Sequence, residues 1–391
     1  MSVHDKIKEI EQEMARTQKN KATERHIGHL KARISRLRMS LEQPAAVAVK
    51  QEGFEVKRSG DARISLVGFP SVGKSTLFNL LTNNKSKTAE HAFTTIDCIS
   101  GQIVHNNAVL QILDLPGIII DASKNKGRGK QVISVARTSD LILIVVNKPE
   151  EIEKIIFELN ELNIRLNKKK KDIKIEQTSI GGIQINDIAN NNLEMIRSIL
   201  KEFKLNNCLV NINEPITDEN LIDEITERAV YIPALIVFNK IDNLSIDQLN
   251  DLYKKYSSHD IFEQDFGSES HNLDENDRES LKSKNRIQFI PVSSVKNWGI
   301  PNLLSTMWST LDLIRIYTKK KGKFPDLTDP VILKAKTEKN TVRSLCQKLH
   351  KDFLANFKGC LVWGRSVKFL PQKVGLSHQL QDEDVVQIYL G

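Results

Sequence analysis

Four short stretches hold residues whose types and spacing suit a nucleoside triphosphate. The first is GFPSVGKS, Gly68–Ser75, which matches the pattern of a phosphate-cradling loop between a strand and a helix. There the backbone N–H groups of Ser71 to Ser75 wrap phosphate oxygens, helped by the positive end of the helix that follows. Gly68 and Gly73 allow the close backbone path. Pro70, Val72 and Thr76 complete the loop and the first turn. Lys74 is placed to bridge the β- and γ-phosphates, and Ser75 to ligate Mg²⁺. The second stretch, DLPG, puts Asp114 at a strand end, where it holds Mg²⁺ through a water, and puts the Gly117 N–H where it senses a γ-phosphate. The third, NKID, selects the base. Guanine presents two donors on one edge, N1–H and the 2-amino group, and the Asp242 carboxylate accepts both; adenine cannot match it. Lys240 lays its stem over the base and Asn239 braces the loops. The fourth, Ser293-Ser294-Val295, offers a backbone N–H, that of Ser294, to guanine O6.

Between the first two lies AFTTID. Thr94 and Thr95 fall 19 and 20 residues after Ser75, where a hydroxyl completes the Mg²⁺ shell only while the γ-phosphate is present. Either threonine fits and Thr95 is preferred. Lys74, Thr95, Asp114 and Gly117 form the expected catalytic set.

These loops need strands to position them. ARISLVG, VLQILDLPG, LILIVVN, ALIVFNKID and RIQFIPVSS read as buried strands alternating with helical stretches. That pattern means an α/β fold with a parallel sheet covered on both faces. Ligands of such sheets sit beyond the C-terminal strand ends, where every motif falls. The expected division is a helical segment over 1–58, a first core part over 59–149, an inserted α+β subdomain over 150–231, a second core part over 232–314, and a β-grasp-like module over 315–391. In the first segment Ile7, Ile10 and Met14, then Ile27, Leu30, Ile34, Leu37 and Leu41, recur at 3-4 spacing, which suits a helical hairpin ended by Pro44. Its outer face is rich in Lys and Arg, compatible equally with a structural hairpin and with a nucleic-acid contact. The insertion contains a run of four lysines, Lys168–Lys171. Residues 257–286 read as an acidic, disordered surface loop.

Composition is that of an ordinary globular chain, with 40% hydrophobic and 27% charged residues. No apolar run approaches the roughly 20 residues that span a bilayer, and the charged N-terminus is no secretory signal. The four cysteines, Cys98, Cys208, Cys346 and Cys360, form no CxxC pair, so free thiols in a reducing, cytoplasmic compartment are expected. Net charge is +8, and residues 315–391 alone carry 15 Lys/Arg against 7 Asp/Glu. That excess suggests a polyanionic partner such as RNA. Oligomeric state is open.

With GFPSVGKSTL, the FTT stretch, DLPGIII followed by GRGKQVISVARTSDLILIVV, then IRLNKK, YIPALIVFNKID and LVWGRSVKFLPQKVGL, the chain resembles the developmentally regulated GTP-binding protein family of Obg-related GTPases. The resemblance covers nearly the whole length. It implies a P-loop GTPase core, an N-terminal helical domain, an insertion inside the core and a C-terminal TGS domain of β-grasp type. It also implies a GTP- and Mg²⁺-dependent switch linked to translation, associated with ribosomes and with a dedicated regulatory protein. Ile118 stands where Ras-like enzymes place a water-orienting glutamine. Three readings remain. Water is held by switch backbone and a second cation, with K⁺ the candidate; or the ribosome or a partner completes the site; or the chain binds nucleotide without significant turnover, as an RNA- or ribosome-binding adaptor. GTPases with an apolar residue at this point resemble potassium-dependent ones, which commonly place asparagine where this chain has Ser71. His91 and Lys126 flank the site as further candidates. Slow hydrolysis stimulated by K⁺ or a partner is the preferred reading.

Overall fold

The computed structural model describes residues 3–18, 23–42, 57–82, 99–115, 134–189, 191–258, 288–335 and 340–390. His91, Thr94, Thr95, Gly117, Ile118, Lys126, Cys98, Pro44 and the acidic stretch beyond Ser258 lie outside them. Contacts divide the chain into two units, Met1–Gly53 with Asn163–Tyr231, and Phe54–Leu162 with Ile232–Gly391.

The first unit begins with α1 (Val3–Arg16) and α2 (Glu24–Glu42). Their narrow apolar seam closes on itself through Ile7, Ile10, Leu30 and Ile34. The second unit starts with β1 (Ala62–Val67), α3 (Lys74–Thr82), β2 (Ile99–His105), β3 (Ala108–Asp114), β4 (Leu141–Val146) and α4 (Glu150–Glu161). The chain then returns to the first unit as β5 (Ile164–Leu166), β6 (Ile173–Gln177), β7 (Ile183–Asp187), α5 (Leu193–Glu202), β8 (Cys208–Ile212), α6 (Asp218–Thr226) and β9 (Val230–Ile232). The core resumes with β10 (Ala234–Phe238), α7 (Ile246–Ser258), β11 (Gln288–Pro291) and α8 (Ile300–Leu311).

The core sheet runs β11-β10-β4-β1-β3-β2. All pairs are parallel except β2 with β3. Every residue of β1, β4 and β10 is buried, as in a sheet covered on both faces; β4 and β10 are wholly apolar, and in β1 the buried Arg63 and Ser65 are hydrogen-bonded to Gln111 and Thr138 and to Ser139. Strand β2 was not legible as a strand. It is an edge strand whose residues are mostly half-buried or exposed, so it lacks the continuous apolar run of its neighbours. It is tied to β3 by Asn106-Asn107, both at positive φ (49° and 64°), the two-residue turn that matches hairpin twist.

In the first unit, α5 and α6 pack on the sheet β6-β8-β7. Both helices start on strong caps: Asn192 accepts from Met195 N, and Thr217 with Asn220 forms a capping box. Helix α2 docks on this insertion. Ala32 joins its core, and a Cβ at Gly28 would sit 3.3 Å from Met195 Cγ. Part of the basic face of the hairpin is engaged by acids: Arg25 meets Glu194, Lys31 meets Asp218 and Glu219, and Arg36 meets Glu202. In the lysine run, Lys168, Lys170 and Lys171 meet Glu219, Glu224 and Glu214. These cations serve the fold of the unit. At its centre Arg165 grips Asp223 with two 2.7 Å hydrogen bonds, both side chains nearly buried. Asp223→Ala leaves that guanidinium without a counter-ion, so destabilisation of about 3–5 kcal/mol is expected in urea unfolding followed by circular dichroism.

The C-terminal module has β12 (Leu313–Thr318), β13 (Asp326–Lys334), α9 (Val342–Leu349), α10 (Lys351–Ala355), β14 (Phe357–Trp363), β15 (Gln372–Val374) and β16 (Val385–Leu390). Its mixed sheet, β13-β12-β16-β14-β15, places first and last strands side by side and parallel, with α9 across one face. Cys346 and Cys360 are free and buried in that core, and burial pushes the Cys360 thiol up to about 12. The module is joined to the core sheet through Lys334–Asp140 and Lys348–Asp61, at the N-terminal ends of β4 and β1.

Candidate functional site

The phosphate loop leaves β1 at Val67 and enters α3 at Lys74. Gly68 lies so close to the Val145 carbonyl that no side chain fits there. Gly73 has φ +95°, and a Cβ would collide with Asn239 Nδ2. Ser71 holds φ +64°, a left-handed turn that lets the loop curl back. Val72 is buried beneath the loop, anchoring it to the apolar core, while Pro70 and Thr76 lie exposed on either side.

Lys74 is nearly buried and its Nζ donates to the carbonyls of Gly68 (2.9 Å) and Phe69 (2.8 Å). Burial lowers its pKa, and the nearby Asp114 carboxylate opposes that. The ammonium therefore lies inside the loop's own curve. Ser75 Oγ donates to Asp114 Oδ2 at 2.7 Å. Asp114 Oδ1 is buried and has no hydrogen-bond partner among the described residues. Burial raises the Asp114 pKa, against the Ser75 hydrogen bond and the Lys74 charge. A hydroxyl beside a carboxylate with an unused oxygen is the hard donor set that Mg²⁺ takes, with phosphate and water supplying the rest. Among the described residues no group of three or more His, Cys, Asp or Glu is arranged to hold a metal ion.

The base side is built by β10 and β11. Asn239 Nδ2 donates to Val72 O at 3.0 Å, and its Oδ1 accepts from both Ser294 N (3.1 Å) and Ser294 Oγ (2.9 Å). One side chain thus bridges the phosphate loop and the last motif. Lys240, at φ +64°, stretches its stem along the surface to donate from Nζ to Ser71 O at 2.8 Å. Asp242 is exposed, and its Oδ1 accepts from the buried Ser293 hydroxyl at 2.6 Å. The Ser294 N–H, expected at guanine O6, is engaged by Asn239. The hydrogen bond from Ser293 to Asp242 was not legible either; the available signal was a hydroxyl residue two positions after β11.

The described members of all four motifs therefore converge beyond the C-terminal ends of β1, β3, β10 and β11. Thr95 and Gly117 lie outside the described residues.

Residues 63–178 match the family model of a 50S ribosome-binding GTPase, residues 180–265 the C-terminal region of that domain, and residues 314–390 the TGS domain. Among curated proteins, the chain is 42% identical to Developmentally-regulated G-protein 3 of Arabidopsis thaliana, over 99% of this chain and 98% of that one. It is 40% identical to Developmentally-regulated GTP-binding protein 2 of Homo sapiens, over 99% of each. It is 43% identical to Ribosome-interacting GTPase 1 of Saccharomyces cerevisiae, over 98% of each.

Proposed function

The chain belongs to the developmentally regulated GTP-binding protein family, and on that premise we propose that it is a cytoplasmic, Mg²⁺-dependent GTP-hydrolysing switch that works on ribosomes. The observation that carries this is the Asn239 bridge, which holds a phosphate cradle and a guanine-selecting carboxylate in one frame. In this reading the N–H groups of residues 71–75 and the Lys74 ammonium hold the β- and γ-phosphates, and Asp242 selects guanine. Ser75 and Asp114 would hold Mg²⁺, with Thr95 joining them in the triphosphate state. Bound Mg²⁺ would supply charge neutralisation between the β- and γ-phosphates. Gly117 N–H reports the γ-phosphate. Protonation of Asp114 competes with the metal, and its raised pKa makes Mg²⁺-dependent GTP binding fall on acidification sooner than an ordinary carboxylate would allow.

Ile118 offers no hydrogen bond to water, so intrinsic turnover is slow and is raised by K⁺ or by a partner. Ribosome association and a family regulatory protein belong to the same proposal. The yeast relative's name and the basic C-terminal module support the first. The test is multiple-turnover phosphate release with GTP and ATP, in K⁺ and Na⁺ buffers, with and without ribosomes. Turnover of GTP, faster in K⁺ or with ribosomes, is expected. No GTP turnover in any condition overturns the enzymatic reading. Ribosome binding indifferent to Ser75→Asn would then favour an adaptor that uses the nucleotide as a structural ligand.

A further inference from the structure

Two loops of the C-terminal module expose apolar rings among cations. Residues 319–325, KKKGKFP, carry four lysines and no acid, and Phe324 is 96% exposed. Residues 364–371, GRSVKFLP, carry one arginine, one lysine and no acid, and Phe369 is 72% exposed. The loops spring from one root. Lys319, which opens the first, donates its N–H to Val386 O at 3.0 Å. Trp363, which ends β14 and precedes the second, registers with Val385 on the same strand. Lys319 Nζ stands 4.7 Å from the centroid of the Trp363 ring. Each loop is also braced. Lys323 N donates to Lys320 O at 3.1 Å, and the Gln372 side chain accepts from Lys368 N at 3.0 Å.

Resting on the ribosome reading above, we infer that these two loops bind unpaired RNA, with bases stacked on Phe324 and Phe369 and phosphates on the surrounding lysines. A ring held out in water by a braced loop contributes nothing to the core, while a base face is a natural partner for it. The charge of both loops has one sign, so the partner is a polyanion. Base-paired RNA hides its ring faces in the helix; only unpaired bases meet a phenyl ring flat on. Several cations of the hairpin and of the insertion are paired with acids, whereas, although Asp326 follows the first loop directly, no ion pair among the described residues engages Lys320, Lys321, Lys323, Arg365 or Lys368.

The full-length protein is titrated against fluorescently labelled 12-nucleotide oligo(A), oligo(U) and a 12-base-pair RNA duplex, over a range of KCl. Tighter binding of the single strands is expected. Phe324→Ala and Phe369→Ala each weaken single-strand binding about tenfold and leave the salt slope unchanged. The triple change Lys321→Gln, Lys323→Gln, Lys368→Gln reduces that slope by about two. Equal binding of duplex and single strand, or single-strand binding untouched by both Phe changes, overturns the inference. So does loss of binding to phosphatidylserine–phosphatidylcholine vesicles on Phe→Ala with RNA affinity intact, which would make the surface a lipid contact. Ribosome co-sedimentation and GTP turnover of wild type are read in parallel. If both persist while oligonucleotides do not bind, the stacking surface fails and the ribosome reading stands. If oligonucleotides bind as stated and ribosomes do not, the reverse holds.

Discussion

Asp242→Asn is expected to lower GTP affinity by two to four orders of magnitude and to raise affinity for xanthosine triphosphate. The carboxylate accepts from both N1–H and the 2-amino group of guanine. An amide in its place offers one acceptor and one donor, so one guanine donor faces another N–H. Xanthine carries a carbonyl at C2, which restores a matched pair. Two hydrogen bonds to a charged acceptor amount to about 3–6 kcal/mol, which sets the size of the loss. Ser293 orients the remaining Oδ1, so the side chain keeps its aim and the change reads chemistry more than geometry. Competition binding with the two triphosphates measures it. Unchanged preference between the bases would put the base pocket elsewhere.

Lys74→Ala is expected to reduce single-turnover GTP hydrolysis by at least about 10²–10³-fold, with a parallel loss of triphosphate binding. The ammonium is the cation inside the loop's curve, and its two carbonyl bonds also keep the loop closed. Rapid-quench measurement of phosphate release at saturating enzyme separates hydrolysis from binding. Lys74→Arg keeps the charge but not the compact point geometry, so it rescues binding more than rate. Retention of wild-type hydrolysis by Lys74→Ala would remove the loop from the chemistry.

The parts legible in the sequence are those with strong local grammar. Strands β4 and β10 are continuous apolar runs, β1 is apolar but for Arg63 and Ser65, and the glycines of the phosphate loop sit where backbone approach or positive φ leaves no other choice. Of the TGS sheet, the stretches PVILKA, CLVWGRSVKFL and DVVQIYL around the helix TVRSLCQKLHKDF could be read, while β12 and the short β15 could not. What escaped depends on partners distant in the chain. Edge strand β2 reads as mixed because only one side of it meets the sheet. The hairpin's basic face read equally as structural and as a nucleic-acid contact, because the acids that meet Arg25, Lys31 and Arg36 lie on α5 and α6, up to about 190 residues away. The Ser294 N–H looked free because nothing local shows that Asn239 reaches it.

The double grip of Asn239 has a kinetic consequence. Because one amide ties Val72 to Ser294, loosening the purine end also loosens the triphosphate end. A factor that pried at Ser293–Val295 would speed departure of the whole ligand without touching a phosphate, and discharge of the spent diphosphate becomes a matter of tugging on one corner.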